Sequence, residues 1–178
     1  LPQGPGAARG TTGPTPPAAA RKPRVPALDM WDLVRAFPAD ANVILHAGDW
    51  TDGCTAPLER FVMAQLVQHF QPQLILEIGT YRGTTTRLLL ENAPADARIF
   101  TVDLPPATDP SGVQNVSDER LVRRRDLGAE LRAHPLGARV TQVYGNTFNP
   151  ATCAPIPDGV KFAFSDARHS YEAVRNDT

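Results

Sequence analysis

Short apolar runs that alternate with helical stretches occupy the chain from residue 74 onward and constrain its fold more than any other feature. Leu74–Ile78 (LILEI) reads as a continuous apolar run, as expected of a strand buried on both faces of a parallel sheet. Thr84–Asn92 reads as a helix and Arg98–Asp103 (RIFTVD) as a second strand. Residues 117–133 read as a further helix, with Asp118 and Glu119 in the first turn, where the helix dipole favours negative charge. Residues 139–144 (RVTQVY) and 160–166 (VKFAFSD) complete a set of four strands, and Ser170 is placed to cap a helix that begins at Tyr171. Pro150, Pro155 and Pro157 predict an irregular crossover over 148–159. Tyr171, Val174 and the run Leu88 to Leu90 are expected in the core. Strand and helix alternating at these lengths predict an α/β fold with an open, doubly wound sheet.

The segment before this pattern differs in kind. Residues 1–26 hold 7 of the 18 prolines and 4 of the 13 glycines and almost no large apolar side chains. They cannot bury enough surface to offset the entropy of ordering, so a disordered leader is expected. Residues 27–54 form a second division. There Met30, Trp31, Leu33, Val34 and Phe37 fit a short helix closed by Pro38, and residues 42–46 (NVILH) fit a short strand. Asp49, Asp52 and Cys54 fall in a loop read as a lid. From residue 55, Thr55 is expected to cap a helix with Pro57 in its first turn; Leu58, Phe61, Val62, Leu66 and Phe70 recur at helical spacing until Pro72.

A formal net charge of -1 argues against a nucleic-acid partner, whose phosphates would call for a surplus of Lys and Arg. Cys54 and Cys153 are too few for a disulfide framework, which makes a reduced, cytoplasmic setting the default. No apolar run approaches the roughly 20 residues of a membrane span, so no membrane partner is expected.

In such sheets ligands bind beyond the carboxyl ends of the strands. The first strand runs into Gly79-Thr80-Tyr81-Arg82-Gly83-Thr84-Thr85, the second ends in Asp103, the third runs into Gly145-Asn146-Thr147, and the fourth ends in Asp166. Gly79 and Gly83 permit a tight turn and close approach to a ligand, and the helix start after them can hold an anion. A dinucleotide site would want G-x-G-x-x-G, and the third glycine is missing. Asp103 follows the turn at about the interval at which a carboxylate meets ribose hydroxyls. A nucleoside with a small carboxylate-bearing arm suits this combination better than a dinucleotide.

These residues also carry a family resemblance. ILEIGTYRGTTT followed by IFTVDLPP resembles the first two motifs of class I S-adenosylmethionine-dependent methyltransferases. FSDARHSYEAVRND resembles a stretch of the small O-methyltransferases that include macrocin O-methyltransferase and cephalosporin-hydroxylase-like proteins. Gly79-x-Tyr81-x-Gly83 and Gly145-x-Thr147 are similar, more distantly, to catechol O-methyltransferase.

The resemblance spans about residues 55–178 and implies a Rossmann-like methyltransferase sheet, of which this chain holds the four-strand, cofactor-binding front; further strands are expected beyond Thr178. It implies S-adenosylmethionine as cofactor. Glu77, Gly79, Thr80, Tyr81 and Gly83 would lie at its methionine half, with the Thr85 hydroxyl receiving its carboxylate. Asp103 would hold the ribose hydroxyls, Leu104 would cover adenine, and Asn146 and Thr147 would sit at the adenine edge. Asp166 would border the cofactor and bind Mg2+ as an optional second cofactor, with His169 as the general base toward the hydroxyl of a small-molecule acceptor. Self-association is left open. A non-catalytic cofactor-binding or scaffold module and a nicotinamide-dependent oxidoreductase are the competing readings.

Overall fold

The computed structural model describes residues 29–38, 42–46, 53–106, 108–109, 119–122 and 126–178. The expected leader, and Asp49 and Asp52, lie outside the described residues.

The strands form one parallel sheet. β1 (Leu74–Ile78) pairs with β2 (Arg98–Asp103) from Leu74 opposite Arg98 to Ile78 opposite Val102. On its other side β1 pairs with β4 (Phe162–Ser165), Ile75 opposite Phe162 and Ile78 opposite Ser165. β2 pairs with β3 (Val140–Tyr144), and the order across the sheet is β3-β2-β1-β4. The direction of succession therefore reverses between β1 and β4, which makes their carboxyl ends a topological switch point, the place where such sheets hold ligands. The open, doubly wound α/β expectation holds.

Helix α1 (Met30–Ala36) is capped by the Asp29 carboxylate, which accepts from the Trp31 amide at 2.9 Å. Helix α2 (Pro57–Phe70) starts one residue later than expected. Ala56 is its N-cap, its amide donating to Glu59 Oε2, while Thr55 turns its hydroxyl to Thr85. The helix ends at Gln71, which takes a left-handed conformation before Pro72. α3 (Thr84–Asn92) follows the turn after β1. Met63, Ala64 and Val67 of α2, Ile75 of β1, Leu88 to Leu90 of α3 and Ile99 of β2 make the core. Removing such side chains from water is the main favourable term holding this layer on the sheet.

Several expectations need correction. Residues 42–46 are not a strand. The side chain of Asn92 accepts from the Ile44 amide at 2.8 Å and donates to the Ile44 carbonyl at 3.0 Å, so an amide side chain satisfies backbone groups that a ladder would otherwise pair. His46 adds a 2.7 Å contact to Glu91 of α3. Of the helix expected over 117–133, residues 119–122 are helical and 127–133 are turns, while 117–118 and 123–125 lie outside the described residues. Gly128 adopts φ +66° and donates its amide to Tyr81, and Glu130 donates to Arg82, so the amides of this stretch are divided between local turns, such as Leu131 to Gly128, and the turn after β1. The 148–159 crossover contains one helical turn, α4 (Pro150–Cys153), because Asn149 caps it and proline is tolerated at its first position. Ser170 caps α5 (Tyr171–Asp177) as expected, but α5 buries Ala173 alone and leaves Tyr171 and Val174 exposed. Among the described residues no helix is long and apolar enough to cross a membrane.

Candidate functional site at the carboxyl ends of the strands

The site is built from the turn that follows β1. Gly79 takes φ +102°, and a Cβ there would lie 2.4 Å from the carbonyl oxygen of Asp166. Only glycine lets this backbone pass against the end of β4. Tyr81 adopts φ +43°, an uncommon conformation for a side chain of its size, and Gly83 at φ +84° opens α3.

Asp103, the last residue of β2, holds this turn in place. Its Oδ2 accepts from the amides of Thr80 at 3.1 Å and Tyr81 at 3.0 Å, and its Oδ1 from Leu104 at 2.7 Å. Hydrogen bonds to a carboxylate are among the stronger ones in proteins, so the turn and the strand end are locked as one unit.

Beneath the turn lies a buried polar network. Glu77 is wholly buried, and its Oε2 accepts from Thr86 at 2.5 Å and Thr101 at 2.7 Å, while its Oε1 has no partner among the described residues. Burial pushes its carboxyl up to about 7, against the pull of the two hydroxyls and with a smaller push from the charges of Asp103 and Asp166. Thr80 continues the network, its hydroxyl 2.6 Å from that of Thr101 and accepting from Gln142 of β3 at 3.0 Å.

Above the turn opens a cavity of about 590 Å³. Of the residues singled out in the sequence, Gly79, Tyr81, Asp103, Leu104, Asn146, Thr147, Asp166 and His169 border it. The other four do not. Glu77 and Thr80 lie in the network below; Gly83 packs against Leu131, and the Thr85 hydroxyl meets that of Thr55 at 3.0 Å. Ile78, Val102, Leu104, Val122 and Phe148 give the cavity apolar surface.

Asn146 Oδ1 accepts from the Phe148 amide at 3.0 Å and shapes the loop after β3. At the other side, His169 Nε2 stands 3.2 Å from Asp166 Oδ1, both side chains partly exposed. Among the described residues no three His, Cys, Asp or Glu side chains group closely enough to hold a metal ion, so Asp166 would need ligands from outside them to bind Mg2+.

Three contributions escaped the sequence reading. Arg168 and Phe148 border the cavity, as do Gly53 to Ala56 and Glu59 from the segment entering α2. Of that segment only the lid reading around Cys54 pointed to it. Thr101 and Gln142 were signalled weakly, as polar residues inside otherwise apolar strands.

A family model described as a methyltransferase domain matches residues 76–178. The chain is 33% identical over 82 residues to a transmembrane O-methyltransferase of Propithecus coquereli, covering 43% of this chain and 30% of that protein. The human transmembrane O-methyltransferase is 33% identical over the same length, 43% of this chain and 28% of that protein. The chain thus spans about three tenths of the length of these curated relatives. Among solved structures, an SAH complex of an O-methyltransferase from Bacillus cereus is similar with a TM-score of 0.47 at 18% identity, covering 78% of this chain and 53% of that one. An SAH-bound methyltransferase of Podospora anserina gives 0.48 at 20% identity, covering 78% and 48%.

Proposed function

The chain belongs to a methyltransferase-domain family, matched over residues 76–178, and from that premise we propose that its cavity binds S-adenosylmethionine for methyl transfer to a hydroxyl group of a small molecule. When bound, the cofactor supplies an electrophilic methyl group, which passes to the acceptor oxygen as the sulfonium becomes a thioether. The observation that carries this reading is Asp103. A carboxylate at the end of β2 borders a cavity with apolar walls while it clamps the turn after β1. That is the polarity a nucleoside asks for, with an acceptor for ribose hydroxyls beside apolar surface for a base.

The chain's own residues then divide the work. Asp103 accepts from the ribose, Leu104 covers the base, and Asn146 and Thr147 stand at its edge. The turn at Gly79 and Tyr81 brings backbone close to the amino-acid arm, since a side chain at residue 79 has no room. His169 takes the proton of the acceptor hydroxyl as the oxygen attacks, and Asp166, 3.2 Å away, orients the imidazole and stabilises its charged form. Much of the rate then comes from holding oxygen and methyl at near-attack distance. No step is assigned to a metal ion. Cytoplasmic placement, the default for a chain with only two cysteines, belongs to the same proposal.

Calorimetric titration with S-adenosylhomocysteine tests the reading. Binding is expected in the wild type, weakened roughly tenfold to a hundredfold in Asp103→Asn, where a charge-assisted acceptor is lost. No binding by the wild type, or equal binding by the variant, would overturn it.

A further inference from the structure

We propose that Arg168 forms an oxyanion subsite at the β4 end of the cavity, selecting a methyl acceptor that bears a carboxylate or phosphate group. This rests on the methyltransferase reading and names the class of its second substrate.

Arg168 borders the cavity, and its Nε is buried without a hydrogen-bond partner among the described residues. It is the one Arg or Lys among the described residues lining the cavity, where Glu59, Asp103, Asp109, Asp166 and Asp177 supply negative charge. The nearest acid in sequence is already engaged, since Asp166 Oδ1 faces His169 at 3.2 Å. Buried donors in folded proteins are nearly always satisfied, and Arg168 is half-buried, its Nε covered and unpaired while the residue borders the cavity, so an arriving oxyanion would meet the uncovered part of the guanidinium and not that nitrogen. The guanidinium stays charged at any working pH, and its fork matches the two oxygens of a carboxylate or phosphate.

The sheet order decides which ligand brings the anion. β3 and β4 are at opposite edges of the sheet, so Asn146 and Thr147 after β3 and Arg168 after β4 bracket the cavity from its two ends. With the adenosine over the β2 and β3 ends, the β4 end is left for the acceptor. His169 is the next residue along the chain, so an anion on Arg168 would hold the rest of the acceptor beside the proposed base.

Calorimetric titration of benzoate and of inorganic phosphate into the chain saturated with S-adenosylhomocysteine reads the subsite directly. At least one of the two is expected to bind the wild type, roughly tenfold or more weakly in Arg168→Met, and with intermediate affinity in Arg168→Lys. Arg175→Met, on the exposed face of α5, should bind as the wild type does, and S-adenosylhomocysteine affinity should be equal in all four proteins. Failure of both anions to bind the wild type, or unchanged binding in Arg168→Met, overturns the subsite. A fall in S-adenosylhomocysteine affinity in Arg168→Met also overturns it, because the guanidinium then serves the cofactor's carboxylate. If the wild type fails to bind S-adenosylhomocysteine, the methyltransferase reading falls by itself, and the same anion titrations on the free chain still decide the subsite.

Discussion

Two stretches of backbone meet at the cavity, and they are built on opposite plans. In the turn after β1 the polar groups are engaged. Asp103 receives three amides, Glu77 two hydroxyls, and Thr80 bonds both Thr101 and Gln142. After β4 the side chains are held by fewer bonds. Asp166 and His169 keep 37% and 54% of their side-chain exposure, and Arg168 Nε has no partner among the described residues. A rigid turn costs nothing to organise when a cofactor of fixed shape arrives, whereas an exposed end leaves its geometry to be completed by a ligand. On the proposed function, the difference teaches that the cofactor side of this domain would be prefabricated by the sheet, and that specificity for a second substrate would fall to few, loosely held groups.

Breaking the close approach of the two stretches at Gly79 should have the largest effect. Gly79→Ala would place a methyl group 2.4 Å from the Asp166 carbonyl at φ +102°, so both the side-chain clash and the backbone conformation oppose it. A loss of about 4 kcal/mol is expected in urea unfolding, from strain and overpacking together. A loss below about 1 kcal/mol would show that the turn yields and that the contrast between a rigid and an open half is overstated.

Glu77 tests the rigid side by itself. A carboxyl raised from 4.5 to about 7 holds its proton in the fold more tightly than in the unfolded chain. Its contribution is therefore fully present below pH 4.5 and is lost as pH rises through 7. A carboxyl carried from 4.5 to about 7 corresponds to about 3 kcal/mol. Glu77→Gln keeps an oxygen for Thr86 and Thr101 and puts an uncharged amide where Oε1 has no partner. It should gain on the wild type by about that amount between pH 4.5 and pH 8 in denaturant titrations, a change that a purely steric role would not produce.

The same contrast explains what could be read from the sequence. β1, α3 and β2 were legible to the residue, because a buried parallel strand must be apolar along its length and Gly83 marks where the helix opens. Asp103 was legible as a site residue, but its grip on the Thr80 and Tyr81 amides was not, since it depends on a left-handed Tyr81 more than twenty residues away. Family resemblance set the Glu inside LILEI beside the cofactor; only the packing of Thr86 and Thr101 over it puts it in the sheet interior. Residues 42–46 looked like a strand because β-branched and apolar residues satisfy that pattern, but a strand needs a neighbour, and Asn92 took that place. Arg168 gave no signal at all. One arginine beside a histidine is unremarkable until a cavity and an orphaned nitrogen surround it.

The smallest expected effect sharpens the open side. His169 and Asp166 form an exposed pair at 3.2 Å, and such pairs contribute about 0 to 1 kcal/mol because solvent screens them. His169→Gln should therefore unfold within about 0.5 kcal/mol of the wild type at pH 7, and its affinity for S-adenosylhomocysteine should not change, because the turn that holds the cofactor is anchored from β2 and not from β4. A destabilisation of 2 kcal/mol or so in the same urea experiment would mean that His169 is tied into the fold as firmly as Asp103. The end of β4 would then belong to the prefabricated half, and a freely adjusting acceptor side would have to be sought among the residues entering α2, where Gly53, Cys54 and Glu59 also face the cavity.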